Sequence, residues 1–323
     1  LKCLYKIFGG NMLINEKLVQ KQKQGIDKKN KFKKSNAGKY LAEAISEKVF
    51  MISAWVAVVS LILIIGFVFY KGLTPFIAKG YSFISFITGT NWYPTSDVFQ
   101  ILPMIIASLG ITLGAVVIGV PIGILAAVFI AEIAPKKVAK VISTAVELLA
   151  GIPSVLYGLF GLAIIVPGIK VIFNQPKGQS LLAAILVLAI MMLPTIISVS
   201  VTALKAVPNT YKEGSLALGA SKTETIFKVV IPAAKSGILT GVILGIGRAL
   251  GETMAVIMVV GNSAIIPDSI FSSVRPLTTN IALEMGYASG VHQEMLFATG
   301  VVLFSFILIL NLVINKIANK AGK

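Results

Sequence analysis

Six long apolar runs, near residues 49–70, 103–131, 141–167, 181–204, 236–261 and 295–315, leave this chain one way to fold. Each is long enough for a hydrocarbon core of about 30 Å. Inside lipid every backbone N–H and C=O needs a partner within the protein, which restricts a spanning segment to a helix or a closed barrel. Runs this long, without period-two alternation, select the helix. The sequence therefore predicts an all-α polytopic membrane protein with six transmembrane helices. Composition agrees, because 56% of the 323 residues are hydrophobic and only 13% are charged, far from a soluble domain. Pro121 and Pro153 interrupt the second and third runs and predict kinks or tilts there.

Charge sets the orientation. The formal charge of +16 would suit a nucleic-acid binder, but its distribution assigns it to the bilayer instead. Of the 29 Lys and Arg, 23 fall in the N-terminal region, 132–140, 205–235 and the C-terminal end, all on one side of six spans. Five fall on the other side, and Arg248 alone lies inside a span. The positive-inside rule then puts both termini in the cytoplasm, with the lipid bilayer as partner and no nucleic acid. Residues 1–48 read as a basic cytoplasmic tail, with Lys28, Lys29, Lys31, Lys33 and Lys34 clustered where they can touch anionic lipid. The tail lacks a secretory signal pattern. Residues 49–318 form the six-helix transmembrane domain with a cytoplasmic loop at 205–235, and 319–323 a short cytoplasmic end. The chain opens on Leu1, and Gly9-Gly10-Asn11-Met12 reads like a translated ribosome-binding site before a start codon. Residues 1–11 are thus expected to be a misassigned extension, and N-terminal sequencing that begins at Leu1, or at an initiator residue in its place, would refute that.

The most informative stretch is 207–261, a polar Lys-rich segment followed by an apolar run with two opposite charges at its centre. On a helix advancing about 100° per residue, Gly237, Gly241, Gly245, Arg248, Gly251, Glu252 and Ala255 share one arc of roughly 120°. Glycines at this spacing let another helix or a pathway approach the backbone closely. Two readings of the charges stand. Spaced i to i+4, Arg248 and Glu252 can neutralise each other as a packing device. Alternatively Arg248 meets an anion in transit and Glu252 holds or releases it, since intramembrane ionisable residues mark pathways and a planar guanidinium suits a tetrahedral oxyanion.

Catalytic constellations do not emerge. G-x-x-x-x-G-K-[ST] is missing, and Ala37-Gly38-Lys39-Tyr40 lacks both the first glycine and the hydroxyl. The single cysteine, Cys3, allows neither an internal disulfide nor a cysteine-based metal site. The lone histidine, His292, reads as a solvated loop residue, so no metal is expected. Glu147 is expected to cap or pair locally at one end of the third span. Trp92 and Tyr93 read as interfacial anchors. The loops at 71–102 and 262–294 are open to two readings, plain connections or a docking surface.

Between the fourth and fifth spans stand Glu213-Gly214-Ser215, then Gly219, then Val229-Val230-Ile231-Pro232. This resembles the EAA loop of ATP-binding-cassette importer permeases. Gly219 would allow a tight turn, Pro232 would start the next element, and Leu216, Leu218 and Ile226 would offer an apolar surface. The alternative is an ordinary amphipathic interfacial helix. GRALGETMAVIMVVGN at 247–262, ELLAGIPSVLYGLFGL at 147–162 and the run 99–135 narrow the likeness. They resemble the phosphate permease subunits of the PstC type, from about Val49 to the C-terminus.

The resemblance implies the six-span, MetI-like fold of type I importers and no ATPase site in this chain. It implies a homologous sister permease (PstA type), two nucleotide-binding ATPase subunits (PstB type) that hold ATP and magnesium, and an extracytoplasmic phosphate-binding protein (PstS type). Arg248 and Glu252 would line the phosphate pathway, and the loop with Glu213, Leu216, Leu218, Gly219 and Pro232 would couple it to the ATPase. Rival expectations are an importer for molybdate or sulfate, and an ATP-independent anion transporter. An inverted internal repeat would favour the second, and none is visible.

Overall fold

The computed structural model describes residues 42, 43 and 45–321. The expected extension and most of the basic tail lie outside the described residues. Helix α1, Ile45–Ala78, is long and apolar enough to cross a membrane. Up to Gly66 it forms a unit of its own, whose apolar side chains, among them Phe50, Trp55, Leu61 and Ile64, are exposed on all sides.

In the main unit, the short helix α2 (Phe83–Thr88) precedes a two-stranded antiparallel hairpin, β1 (Trp92–Tyr93) and β2 (Val98–Phe99), paired Trp92 to Phe99 and Tyr93 to Val98. Next come α3 (Leu102–Val128), which runs on into a π-turn at Phe129–Ile133, and α4 (Lys136–Gly151). Helix α5 (Ser154–Phe160), a π-turn at Gly161–Ile165 and α6 (Val166–Ile172) form one continuous span. Helix α7 (Leu181–Lys205) leads to α8 (Asn209–Ala217), α9 (Lys222–Thr225), a π-turn at Ile226–Val230 and α10 (Ile231–Ala233). Helices α11 (Lys235–Leu250), α12 (Met254–Val259), α13 (Leu277–Glu284) and α14 (Gly290–Ala321) complete the chain.

Five of these helical lengths can cross a membrane unaided, and the run expected at 236–261 is met only in part by α11, which belongs to a bent helix pair. Lys222–Ala233 meets Lys235–Leu250 at 69°. Two expected boundaries need correction. The third span is not 141–167 but Ser154–Ile172. Proline cannot donate a hydrogen bond, and the residue before it is pushed out of the helical region. Ile152, preceding Pro153, is accordingly extended at φ −70°, ψ 128°, and ends α4 as a separate amphipathic helix. The fifth span is not continuous over 236–261, because helix α11 stops at Leu250 and α12 starts at Met254.

Helix α7 is the centre of the bundle, with 61% of its most apolar window buried against 33% or less for the other unaided spans. Its neighbours approach through glycines. A Cβ on Gly123 of α3 would lie 2.8 Å from Ile196, and one on Gly245 of α11 would reach the same side chain at 2.8 Å from the other flank. Gly241 abuts Val199, and Gly237 lies against Ala203. The buried N-terminus of α7 also finds acceptors. Ser180, Leu181 and Leu182 donate their amides to the carbonyls of Val259, Ser272 and Ile270, and the Ser180 hydroxyl accepts from Ala183 N. These are the N–H groups that a helix cannot satisfy itself.

Helix α9 carries a capping box. The Ser221 hydroxyl accepts from Glu224 N, and the Glu224 carboxylate accepts from Ser221 N at 3.1 Å. The Ser221 amide, the Ser221 hydroxyl, which donates to the same carboxylate at 3.0 Å, and Lys228 favour the ionised form and lower the Glu224 pKa from 4.5 to about 2. A depressed carboxylate pKa means that the cap is present above pH 4.5 and is lost as pH falls through about 2. A carboxyl-13C titration should find the Glu224 midpoint near 2, and Ser221→Ala should return it towards 4.5. Packing gives a second expectation. Gly237→Ala meets the Ala203 methyl, which has no rotamer to yield, and should lower stability by about 1–3 kcal/mol. Gly247→Ala has nothing within 4 Å and should raise it by about 0.5–1 kcal/mol. Thermal melting of the solubilised chain compares the two.

Candidate functional site

The break between α11 and α12 places Gly251, Glu252 and Thr253 in non-helical backbone. Its loose ends are partnered from three directions. Glu252 N donates to the Ala249 carbonyl, the Glu252 carboxylate accepts from Ala255 N at 3.0 Å, and the Thr278 hydroxyl of α13 donates to the Glu252 carbonyl at 3.2 Å. A small cavity of about 20 Å³ adjoins the break, lined by Ser108 and Thr112 of α3, Leu188 of α7, Glu252 and Thr278. It has room for a water molecule rather than a larger ion. The Ser108 hydroxyl accepts from Leu277 N at 3.0 Å, so α3 and α13 are joined at this level.

Arg248 sits in the last turn of α11, half-buried, with Nη1 3.5 Å from the Thr195 hydroxyl of α7. It forms no ion pair with Glu252 among the described residues, since no nitrogen-to-oxygen contact within 4.0 Å joins them. The i to i+4 neutralisation open to a continuous helix is lost because the helix ends between the two residues. The expected small-residue face divides likewise. Gly237, Gly241 and Gly245 lie against α7, whereas Gly251 is exposed, with only the Gly247 carbonyl near it, and Ala255 packs against Gly158 of α5.

On the Lys-rich face, α8 and α9 form a helix pair joined by a tight turn. Gly219 takes φ +86°, which lets its amide reach the Leu216 carbonyl and the Ala220 amide reach the Ser215 carbonyl. Glu213, Leu216, Leu218 and Pro232 are exposed, Leu218 at 90%. Ile226 does not join them. It is buried with Val128, Ile130, Leu204 and Val230, at the start of the π-turn at 226–230. Exposed Tyr211 and Phe227, which the sequence reading passed over, flank the leucines. Large apolar residues in an otherwise polar, Lys-rich segment were the available signal. Lys212 turns inward to Glu132, at the end of α3, at 2.7 Å. Glu147 is exposed on α4.

At the opposite end, Glu284 is 5% exposed and accepts three bonds. They come from Trp92 Nε1 at 2.8 Å and Arg275 Nη1 at 2.7 Å, and a third joins His292 Nε2 at 2.8 Å. Arg275 also donates to the Asn262 carbonyl and to Asn280 Oδ1. Two expectations fail here. Trp92 is a buried donor rather than an interfacial anchor, and His292 is a half-buried partner of Glu284 rather than a solvated residue. Tyr93 is exposed. The hub bonds Trp92 to Glu284 across 192 positions, a separation at which no local spacing pattern signals contact.

Comparison with known proteins places this geometry. Residues 119–322 match the family model of the binding-protein-dependent transport system inner membrane component. A Bacillus subtilis protein described as a probable ABC transporter permease, YqgH, is 40% identical over 93% of this chain and 94% of its own length. The phosphate transport system permease proteins PstC of Pasteurella multocida and Haemophilus influenzae are 36% and 38% identical, each over 74% of this chain and 82% and 83% of theirs. Among solved structures, the inward-facing MetNI methionine ABC transporter aligns at TM-score 0.57 and 19% identity, covering 72% of this chain and 100% of that one. An alginate ABC transporter bound to its periplasmic protein aligns at 0.55 and 18%, covering 83% and 96%. The fold is thus the all-helical one of ABC importer permeases, and the chain belongs to the family of binding-protein-dependent transport system inner membrane components.

Proposed function

We propose that this chain is one of two permease subunits of an ATP-driven importer of inorganic phosphate in a bacterial plasma membrane, with both termini cytoplasmic. The observation that carries the reading is Arg248, a permanently charged guanidinium without an ion-pair partner among the described residues, beside a helix break that a carboxylate and hydroxyls line. Such a group at bilayer depth costs about 2.5–3.5 kcal/mol on insertion scales unless it faces a pathway or a counter-charge. A tetrahedral oxyanion supplies that counter-charge in transit, and the relatives named as phosphate permeases point to phosphate.

In this reading the phosphate-loaded binding protein docks on the face that carries the 71–102 and 262–294 loops. A homologous sister permease completes the pathway. The partner ATPase subunits hold ATP and magnesium and supply the energy of nucleotide closure and hydrolysis. This chain seats Tyr211, Leu216 and Leu218 of its coupling loop in one of them, with Gly219 and Pro232 shaping the helix pair beside Glu213. Movement of the 205–235 loop tilts the bundle and opens the break at 251–253 to one side of the membrane and then the other. Arg248 holds the anion at that level. Glu252, whose carboxylate caps α12, keeps the break in shape and offers an oxygen to a protonated phosphate.

Uptake of labelled phosphate at low external concentration, in cells lacking this chain, tests the reading with labelled sulfate in parallel. The wild-type chain should restore phosphate but not sulfate uptake. Arg248→Ala should leave uptake at background while the complex still assembles. Sulfate uptake restored by the wild type would move the assignment to another oxyanion, and uptake retained by Arg248→Ala would return the arginine to a packing role.

A further inference from the structure

We infer that the Lys212–Glu132 ion pair is the link through which the coupling loop moves α3, so that these are positioning residues of transport that touch neither substrate nor nucleotide. The inference rests on the importer reading above. Lys212 lies on α8 between Tyr211 and Glu213, both exposed, yet its own side chain turns into the protein and its Nζ meets Glu132 Oε1 at 2.7 Å. The Glu132 side chain is only 8% exposed, and no other side chain bonds it among the described residues. A carboxylate so enclosed is tolerable only with its counter-charge in place.

The backbone around Glu132 is shaped for this contact. Helix α3 ends in a π-turn in which Ala134 N donates to the Phe129 carbonyl, a wider turn than an α-helix makes. Ala134, before Pro135, is extended and stops the helix there. Among the described residues the other side-chain contacts between the loop region and the bundle at this end are apolar, with Ile226, Val230 and Val207 packed among Val128, Ile130 and Leu204. Apolar packing resists separation but not sliding, whereas a short charge-assisted hydrogen bond has one direction and one register. The ion pair therefore fixes where α3 sits on α8.

Helix α3 then carries displacement to the site. From Glu132 to Ser108 it spans about 36 Å at the helical rise, held along α7 by the close approach of Gly119 and Gly123 to Met192 and Ile196. At its far end Ser108 binds Leu277 N, and Thr112 lines the cavity beside Glu252. A shift of α8 is delivered to the break without any mobile loop between.

The test uses the assembled complex in proteoliposomes, reading phosphate carried and ATP hydrolysed in one preparation. Glu132→Gln and Lys212→Gln should assemble and should lower phosphate carried per ATP at least fivefold. The swap Glu132→Lys with Lys212→Glu should restore the ratio to within twofold of wild type. Glu132→Asp keeps the charge but shortens its reach, and should lower the ratio even if the neutral variants fail to assemble. An unchanged ratio in Glu132→Asp, or in assembled neutral variants, overturns the link, as does a swap that assembles with the ratio still lost. Wild-type complex that hydrolyses ATP on addition of binding protein but carries no phosphate overturns the substrate reading instead. The link is then read from that stimulated hydrolysis, which the same substitutions should uncouple from binding protein.

Discussion

Everything else in this molecule depends on burying one helix, α7, in surroundings where water cannot pull it in. Lipid chains are as apolar as leucine side chains, so helices in a bilayer associate through close packing and interhelical hydrogen bonds rather than through the hydrophobic effect. Close packing demands small residues at the crossing, and α3 and α11 supply them. Gly123 and Gly245 press on the same Ile196 from two flanks, so α7 is clamped at the middle of its length. The clamp also needs the end of α7 to be polar-satisfied, and the carbonyls of Val259, at the end of α12, and of Ile270 and Ser272, in the segment after it, do that. Tertiary backbone contacts thus replace the water that would serve a soluble helix.

With α7 fixed, the break between α11 and α12 becomes tolerable. Irregular backbone at membrane depth survives only where protein or a polar cavity surrounds it. Glu252 and Thr278 provide the partners, and the small cavity against Ser108 and Thr112 provides the polar surroundings. The three buried clusters follow the same division. One surrounds α7, one fills the Lys-rich end beneath the 205–235 loop, and one holds the hairpin, α13 and the start of α14 at the opposite end. Helix α3 contributes to all three and is the common strut.

Hydropathy made the number and approximate place of the spanning segments legible, because a span declares itself by its own composition. Long runs such as 103–131 and 181–204 differ from the observed helices by a residue or two, since Pro135 and Ser180 mark their ends locally. The third and fifth runs misled for one reason. Apolar composition is continuous across Ile152-Pro153 and across Gly251–Thr253, whereas the backbone is not. Pro153 carried a readable warning, since the residue before a proline leaves the helical region. The second break carried none, because Gly251 is equally at home inside a packed helix and Thr278, which bonds the Glu252 carbonyl, comes from a distant segment. The Glu284 hub was hidden for the same reason. A buried glutamate is recognisable only once Trp92, Arg275 and His292 have been brought to it, and each alone reads as an ordinary loop residue.

The surroundings of Arg248 carry the argument one step beyond the single chain. Leu244 and Met254 are about half exposed beside it, Gly251 is open, and the guanidinium is only half-buried. The apolar pair could face lipid at no cost. The arginine could not, because a guanidinium is charged at any accessible pH and the Thr195 hydroxyl is too weak a partner to offset desolvation. The face that Arg248 shares with Gly251 must therefore meet water, an anion or another polypeptide. A close-packing sister permease is the partner that small residues there would suit, and between two such faces the charges would lie on the seam rather than in either subunit. A pathway on the seam accounts for the small size of the cavity beside the break, about 20 Å³: the rest of its wall belongs to the proposed second subunit.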